Sequence, residues 1–480
     1  MKIKLALLVA LACALFAGSA NAAPDSRQTA GGQARQTAGG QARQADGAHA
    51  LQASGAQARQ MDGGQARQMD GGQARTVYVK CGRLIFDAER DAVENAAVII
   101  VDGKITAVGK DLAVPSGAEQ VDLSKYTVIP GLIDSHIHLW TGASSPEGQD
   151  ASDALAVLRA SKAMSYALSS GIVAARVLGS GDFIDVALRD AIEEGTIPGP
   201  HLLPAGHALS IPAGHADHFT FPLTMPLEDY YTPLHGFINS PADAEKAVHL
   251  QIKYGARVIK VLASGGVGSP LDSPTAEQLS PEELRVIVEQ AHMDHLKVAA
   301  HDENLMTILA ALHAGVDSIE HGSELNQEAI DYMKEHHVVL VPTVYIVDNI
   351  LANGERLHMP DYMLRKAHEL AAKHFASFKL AVPSGVTIAA GSDQAYQPGA
   401  GTVRDEIMTE VKYGMTPQAA LVSGTKTAAA LLGFDQLGIL AAGKEGDLVA
   451  VEGDPRSDIH ALEKVRAVIF QGKQITPANR

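Results

Sequence analysis

Two histidines separated by one residue are the strongest chemical signal in the sequence. His136 and His138 end the segment 130–138, whose apolar residues predict a β-strand. Because alternate side chains of a strand point to the same face, both imidazoles can contact one metal ion. Such a pair also occurs as ordinary structural histidines, so the metal prediction depends on the polar residues at other predicted strand ends.

Four further residues lie in or just after predicted strands, and each has the chemistry of a metal ligand: Lys260, His301, His321 and Asp393. Imidazole nitrogens and carboxylate oxygens bind zinc and similar divalent ions. A lysine amine inside a fold is unfavourable unless it is paired or neutralised, and a carbamate on Lys260 would be an anion able to bridge two ions. The alternative is a lysine whose amine reaches the surface. Together with the histidine pair, these residues predict a site for two divalent ions.

The elements that position these residues alternate between strand-like and helix-like segments over residues 131–436. The predicted strands are 132–138, 172–177, 201–206, 257–262, 297–301, 317–321, 338–342 and 386–390, and helices such as 281–295 and 361–380 lie between them. This alternation predicts an α/β fold, a (β/α)8 TIM barrel in which catalytic residues come from the carboxyl ends of several strands. The alternative is a doubly wound open sheet, which gives no reason for polar residues at so many strand ends.

Both ends of the region that follows residue 75 predict one small β domain. Residues 76–130 contain short β-rich runs with predicted turns at Cys81–Gly82 and Asp102–Gly103, and similar runs return in residues 437–480. We expect the two ends to pair as a composite β-sandwich domain beside the barrel.

The first 75 residues predict export followed by a tether. Lys2 and Lys4 precede an apolar run and then small residues, which is typical of a signal peptide over residues 1–22. In the alternative, Cys13 inside that run is lipidated and retained. Residues 23–75 contain eight-residue repeats such as 67–74 and predict a flexible tether whose role the repeats do not reveal. We therefore expect a periplasmic or secreted protein.

Composition narrows the classes of partner. A formal net charge of -16 argues against nucleic acid, because a phosphate backbone is bound by clustered Lys and Arg. After residue 22, no stretch approaches the roughly 20 apolar residues of a membrane span. Cys81 is then the only cysteine, so no internal disulfide is expected. A small-molecule substrate is the expected partner.

Taken together, the motifs resemble the amidohydrolase superfamily from about Thr76 to Gly472. The segments 259–267, 317–322 and 341–343 are similar to its imidazolonepropionase-like branch, which includes Xaa-Pro dipeptidases, carboxypeptidase-like enzymes and ochratoxin-hydrolysing enzymes. The resemblance implies two ligand sets that share Lys260: His136, His138, Lys260 and Asp393 on one ion, and Lys260, His301 and His321 on the other. Zinc is the expected ion, with manganese, cobalt and iron as alternatives.

The resulting prediction is a two-metal amidohydrolase that cleaves the amide bond of dipeptides or N-acyl amino acids. A metal-bridging hydroxide would attack the carbonyl, and Asp393 would take its proton and deliver it to the leaving amine. By resemblance the substrates include ochratoxin A, which would yield ochratoxin alpha and phenylalanine. The alternatives are a cyclic amide hydrolase similar to imidazolonepropionase and a non-catalytic periplasmic binding protein.

Loops after the strands are expected to supply the substrate contacts. By resemblance, His215 lies near the substrate. Tyr230 and Tyr231 are candidate donors to a substrate carboxylate or carbonyl, and Trp140 is a candidate aromatic wall; packing is the alternative role for all three. The glycine-rich stretch 264–268 lacks the spacing of a phosphate-binding loop and predicts a tight turn that lets substrate approach. The resemblance also implies a homo-oligomer such as an octamer.

Overall fold

The computed structural model describes residues 74–139, 153–217, 227–396 and 401–478. These residues belong to one compact unit, Gly71–Arg480. The predicted signal peptide, almost all of the predicted tether, Cys13 and Trp140 lie outside the described residues. None of the helices in the described ranges is long and apolar enough to cross a membrane.

The described strands are β1 (Thr76–Leu84), β2 (Val93–Val101), β3 (Lys104–Lys110), β4 (Glu119–Pro130), β5 (Leu132–Leu139), β6 (Ile172–Ser180), β7 (His201–Pro204), β8 (Val258–Leu262), β9 (Lys297–Asp302), β10 (Ser318–His321), β11 (Val339–Val341), β12 (Leu448–Val451), β13 (Val465–Phe470) and β14 (Lys473–Ile475). The described α-helices are α1 (Asp153–Ser169), α2 (Ile184–Glu193), α3 (Leu227–Tyr230), α4 (Pro241–Lys253), α5 (Pro281–Met293), α6 (Leu305–Ala314), α7 (Gln327–Glu335), α8 (Val344–Asn353), α9 (Asp361–Ala381), α10 (Val403–Lys412), α11 (Pro417–Val422) and α12 (Ala428–Leu432).

Two parallel sheets alternate with helices along the middle of the chain. One has the order β5-β6-β7 and the other the order β11-β10-β9-β8. On one side Arg257, which precedes β8, donates its main-chain N–H to Pro204 of β7 at 2.7 Å, and Leu209, in the segment after β7, exchanges bonds of 2.8 and 3.0 Å with β8. On the other side, Leu340 forms a parallel bridge with Ile388, and Ile137 forms another with Gln394. Main-chain hydrogen bonds therefore connect these parallel segments in a closed circuit, which is what the predicted barrel requires.

Seven of the eight strands predicted for the barrel are present, but the strand predicted at 386–390 is wrong as a regular strand. There the structure forms an isolated bridge to Leu340. The N–H of Leu340 donates to Thr387 at 2.9 Å, and the carbonyl of Ala390 accepts from Ser135 at 2.9 Å. The segment therefore forms a few main-chain hydrogen bonds with each of two neighbouring strands, β11 and β5. Neither set is large enough for a regular ladder.

Strands from both ends of the described chain share one seven-stranded sheet, with the order β14-β13-β12-β4-β1-β2-β3. The two ends meet where β12 pairs antiparallel with β4, so that Leu448 lies opposite Pro130. Val79, Ile100 and Leu448 belong to the apolar cluster of this sheet. A division of these strands into the two layers of a sandwich remains a prediction.

The predicted turn at Cys81–Gly82 is wrong, because both residues lie inside β1. The pairing of β1 with β4 shifts register between Cys81 and Arg83. A Cβ at position 82 would lie 2.2 Å from the carbonyl oxygen of Ser124. The glycine therefore permits a close approach of β4 at an irregularity in the strand rather than a change of chain direction. The turn predicted at Asp102–Gly103 is present between β2 and β3.

Helix α5 illustrates how a capping motif starts a helix and how an apolar face packs it against a sheet. Ser280 and Glu283 exchange side-chain to main-chain hydrogen bonds in a capping box, and Pro281 occupies the first turn, where it has no N–H to leave unpaired. The helix then buries residues spaced as one face: Leu284, Ile287, Val288 and Ala291. This apolar face packs into the main core, next to β9.

Helix α9 departs from that pattern, because polar side chains lie on its buried face. Lys366, His374 and Ser377 are each at most 4% exposed. Burial of such groups is unfavourable unless they are hydrogen-bonded. Lys366 donates to the carbonyl of Gly266 after β8, and Ser377 donates to the carbonyl of Gly322 after β10. The helix therefore supports two of the loops that follow the parallel strands.

Candidate metal centre

All six predicted metal ligands lie in the strands or just after them, on the parallel segments of the circuit. His136 and His138 lie near the end of β5, Lys260 lies within β8, and Asp393 follows the bridge at Ile388. His301 and His321 belong to the ends of β9 and β10. Their rings form a continuous set: the centroids of His301 and His321 are 4.4 Å apart, and those of His136 and His321 are 5.2 Å apart.

The first ligand group consists of His136, His138 and Asp393. Nε2 of His136 lies 3.2 Å from Nε2 of His138, and Oδ1 of Asp393 lies 3.1 Å from the latter and 3.6 Å from the former. Zinc bonds of about 2.0–2.2 Å separate neighbouring ligand atoms by about 3–4 Å. The three atoms therefore have the spacing that one ion requires.

The second ligand group consists of His301, His321 and a residue that sequence analysis missed, Glu303. One ligand atom from each lies within 4.8 Å of the others, and all three side chains are buried. The signal for Glu303 was present in the sequence, because it stands two residues after His301, as His138 does after His136. Glu303 directly follows β9, so the two-residue spacing extended one residue beyond the strand would have pointed to it.

Lys260 is 1% exposed, and its Nζ has no hydrogen-bond partner among the described residues. Burial lowers the pKa of this amine to about 8, although the carboxylates of Glu320 and Asp393 oppose the shift. A lysine with a lowered pKa is partly neutral near neutral pH, and the neutral amine is the nucleophilic form. An unpaired, nucleophilic amine at this position fits a lysine that becomes carbamylated.

Burial also sets the protonation of the histidines. It lowers the pKa of His136, His301 and His321 well below the ordinary value. Burial would by itself raise the pKa of Asp393, but His136 and His138 hold it below the usual range. Neutral imidazole and ionised carboxylate are the forms that bind metal ions, so these three histidines and Asp393 are in the required states. Burial raises the pKa of Glu303 to about 7, so a metal ion would have to displace its proton near neutral pH.

A buried carboxylate orients His136. Oε2 of Glu320 lies 2.8 Å from Nδ1 of His136, and Oε1 accepts a 2.7 Å hydrogen bond from Arg176. Arg176 also donates to Ser135 at 2.6 Å and to Ser318 at 3.0 Å. Carboxylates of this kind fix the tautomer of a metal-binding histidine and direct its other nitrogen to the ion. Sequence analysis missed both charged residues.

A second buried carboxylate joins β5 to the segment that carries Asp393. Asp134 accepts hydrogen bonds from Ser392 Oγ at 2.6 Å, from the Ser392 N–H at 2.9 Å and from the Tyr396 hydroxyl at 2.5 Å. Asp393 itself has a φ of 53°, in the left-handed region that non-glycine residues seldom occupy. The network around Asp134 holds this conformation and thereby the direction of the Asp393 side chain.

His215 lies against the second ligand group. Its ring stacks on that of His301, with centroids 4.2 Å apart, and its Nδ1 lies 2.8 Å from Ser269 Oγ and 3.6 Å from Asp272. A Cβ at Gly266 would lie 2.3 Å from this imidazole. The glycine-rich stretch therefore accommodates the His215 ring as well as the loop turn, and Nε2 of His215 remains for other contacts.

Tyr230 and Tyr231 belong to an aromatic cluster. The Tyr230 ring stacks on His235 at 5.6 Å, and both tyrosine rings contact Phe237. Burial raises the pKa of Tyr230. These are packing contacts, and a role of either hydroxyl in substrate binding stays a prediction. The predicted role of Trp140 falls outside the described residues.

This chain is similar in sequence to known proteins. The model of the amidohydrolase family matches residues 127–475. Ochratoxinase of Aspergillus niger is 35% identical over 424 residues, which cover 82% of this chain and 86% of that enzyme.

Solved structures show the same similarity. A crystal structure of a Xaa-Pro dipeptidase with methionine bound in the active site superposes with a TM-score of 0.77 at 31% identity, covering 83% of this chain and 99% of that one. The crystal structure of A. niger ochratoxinase superposes with a TM-score of 0.75 at 31% identity, covering 84% of this chain and 96% of that one.

Proposed function

The chain belongs to the amidohydrolase family and is a hydrolase of amide bonds, and from that premise we propose that it is a two-metal enzyme that cleaves dipeptides or N-acyl amino acids. The observation that carries the two-metal proposal is that His136, His138 and Asp393 lie together on one side of the centre and His301 and His321 on the other. The buried and unpartnered amine of Lys260 supports a bridge between them.

We assign the closed circuit of parallel segments to a (β/α)8 barrel. Its hydrogen bonds join each segment to two neighbours, and the proposed ligands lie within the strands or just after them, towards their carboxyl ends. Active sites of such barrels lie at that end. The similarity to the dipeptidase and ochratoxinase structures supports the same assignment.

The ions, for which zinc is the proposal, would be held by His136, His138 and Asp393, by His301 and His321, and by a carbamate on Lys260. When bound, they supply a water molecule that is nucleophilic near neutral pH and polarise the scissile carbonyl. The protein contributes neutral imidazoles, ionised Asp393 and a lysine whose neutral form can react with carbon dioxide. In that reaction the amine nitrogen bonds to the carbon of carbon dioxide and releases one proton.

Asp393 is the proposed proton carrier. Its Oδ1 lies 3.1 Å from Nε2 of His138, and the Asp134 network fixes the segment that bears it. In this position the carboxylate accepts a proton from the attacking water and delivers it to the nitrogen of the leaving amine. His215 is the proposed substrate contact, because Ser269 engages its Nδ1 and leaves Nε2 to donate to or accept from the substrate.

A panel of amides tests the proposal directly. Protein lacking the predicted signal peptide is loaded with zinc and incubated with Xaa-Pro and other dipeptides, N-acyl amino acids including ochratoxin A, and cyclic amides. Products are identified by mass. The expected result is release of a free C-terminal amino acid, lost in Lys260→Ala and in Asp393→Asn. The exposed Lys373→Ala, on the outer face of α9, is the matched control for folding and purity.

Other results identify the alternatives. Ring opening without release of an amino acid would show a cyclic amide hydrolase. Retention of ligand affinity in Asp393→Asn, without turnover by the unsubstituted protein, would show a binding protein. Turnover that persists in both site variants would overturn the assignment of the centre.

A further inference from the structure

Glu303 occupies a firmly held position between two loops of the centre. Its main-chain N–H donates to Ser264 Oγ at 2.9 Å, and the carbonyl of the preceding residue, Asp302, accepts from the N–H of Gly322 at 3.1 Å. Glu303 is therefore tied to the residues that follow β8 on one side and β10 on the other. Glu303 itself directly follows the last residue of β9 and stands two residues beyond His301.

The carboxylate of Glu303 is oriented by a chain of hydrogen bonds from α9. Ser323 Oγ donates to Oε2 of Glu303, and Nδ1 of His374 lies 2.8 Å from the same hydroxyl. Since the serine gives its proton to the carboxylate, it accepts from the Nδ1–H of His374. Metal-binding carboxylates are held by outer hydrogen bonds of this kind.

The hydrogen bond from Ser323 uses Oε2, and within the described part of the chain Oε1 accepts none. The Glu303 side chain belongs to a residue that is only 5% exposed, and a cation beside the carboxylate would offset the cost of this burial. One carboxylate oxygen of Glu303 already lies within 4.8 Å of a ring nitrogen of His301 and of His321. Bonds of about 2.0–2.2 Å to one zinc ion can span this separation.

We propose that Glu303 is a direct ligand of the ion bound by His301 and His321. This inference rests on the proposed two-metal centre and adds a carboxylate to the ligands that the family motifs indicate. Ser323 and His374 are then positioning residues, because they act on the ion through Glu303. The second ion would keep an anionic ligand even before Lys260 is carbamylated.

Measurement of metal binding in the absence of substrate tests the inference. The full chain is stripped with a chelator and titrated with Co²⁺, and metal content and visible absorption are recorded for each variant. Loss of an outer hydrogen bond lowers metal affinity about 10–100-fold, so loss of a direct ligand in Glu303→Gln should weaken one of the two ions by at least about 100-fold. The Co²⁺ absorption of that ion should change as an oxygen ligand is lost.

Two further variants keep the test interpretable. Glu324→Gln removes a nearby carboxylate that pairs with Lys373 at the surface, and it should bind both ions unchanged. Ser323→Ala should lower the affinity of the same ion about 10–100-fold, which provides a readout if Glu303→Gln does not fold. Two ions bound by Glu303→Gln with unchanged affinity and spectrum would overturn the role of Glu303 and leave the proposed function standing. Failure of the unsubstituted protein to bind a second ion would overturn both.

Discussion

Oε2 of Glu320 lies 2.8 Å from Nδ1 of His136, and both side chains are completely buried. The carboxylate is held in turn by Arg176, which is 1% exposed. A buried ion pair of this kind is weak evidence for stability, because desolvation offsets much of its attraction. Its position behind a proposed ligand indicates a role in directing Nε2 of His136.

Replacement of this carboxylate should weaken metal binding. In Glu320→Gln the imidazole loses the anion that fixes its tautomer, so we expect the affinity of the ion at His136 to fall about 10–100-fold. Competition with a chelator measures the change. Glu452→Gln, which breaks the exposed pair with Arg466, is the control. Unchanged affinity in Glu320→Gln would show that Glu320 serves only to neutralise Arg176.

The Asp134 network should be required for turnover more than for metal binding. Asp134→Ala leaves the hydroxyls of Ser392 and Tyr396 without their acceptor, each at about 1–3 kcal/mol when buried. The segment with Asp393 then loses its constraint, and kcat should fall by more than tenfold. Tyr396→Phe removes one bond and should have a smaller effect in the same direction. Full turnover by Asp134→Ala would contradict this role.

Lys366 should influence substrate affinity from outside the site. It donates to Gly266 and Ser269 carbonyls at 2.9 and 2.7 Å and pairs with Asp272 at 2.8 Å. Lys366→Met breaks the buried ion pair with Asp272, at up to about 3–5 kcal/mol, although Asp272 keeps hydrogen bonds from Ser269, the Gly266 N–H and Gln278. The loop beside His215 should loosen, and KM should rise up to about tenfold, the equivalent of one hydrogen bond.

Steady-state kinetics and thermal melting separate the two effects of Lys366→Met. Lys373→Met, an exposed substitution on the same helix, should leave both KM and melting temperature unchanged. A lower melting temperature with unaltered KM would mean that the lysine stabilises the fold without affecting substrate binding.

Stability should fall with rising pH because of a buried glutamate. Burial raises the pKa of Glu410 to about 8, and Ser423 opposes this by donating to Oε2 at 2.6 Å. The folded state therefore keeps a proton that the unfolded chain releases near its ordinary, lower pKa. The favourable contribution is complete below that ordinary value and is lost as pH rises through about 8.

Glu410→Gln replaces the protonated acid by an amide that cannot ionise. Between about pH 5 and about pH 8, the unsubstituted protein should lose stability relative to this variant, by at most about 1.4 kcal/mol per pH unit. Denaturant unfolding across this range, at constant metal concentration, measures the difference. Parallel pH profiles of the two proteins would show that Glu410 does not retain its proton.

Short-range patterns explain what could be predicted from the sequence. His136 and His138 share one strand, so their common direction follows from a two-residue repeat. Glu320 could not be assigned in this way, because its partners Arg176 and His136 lie 144 and 184 residues away. The segment 386–390 has the composition of a strand, but its bonds depend on how two distant neighbours approach it. Local pattern thus identifies candidate ligands, whereas the groups that orient them require the fold.

Helix α9 has a consequence for the engineering of this protein. Lys366 and His374 are eight residues apart, about 12 Å along the helix and about 80° apart around it, and both are buried. Lys366 donates a hydrogen bond to the loop beside His215. His374 contacts Ser323, which donates to Glu303. If α9 moves as a rigid helix, any displacement of it changes both contacts. Substitutions in α9 that are chosen to change substrate preference should therefore also change metal affinity. Their effects on the two properties should not be additive.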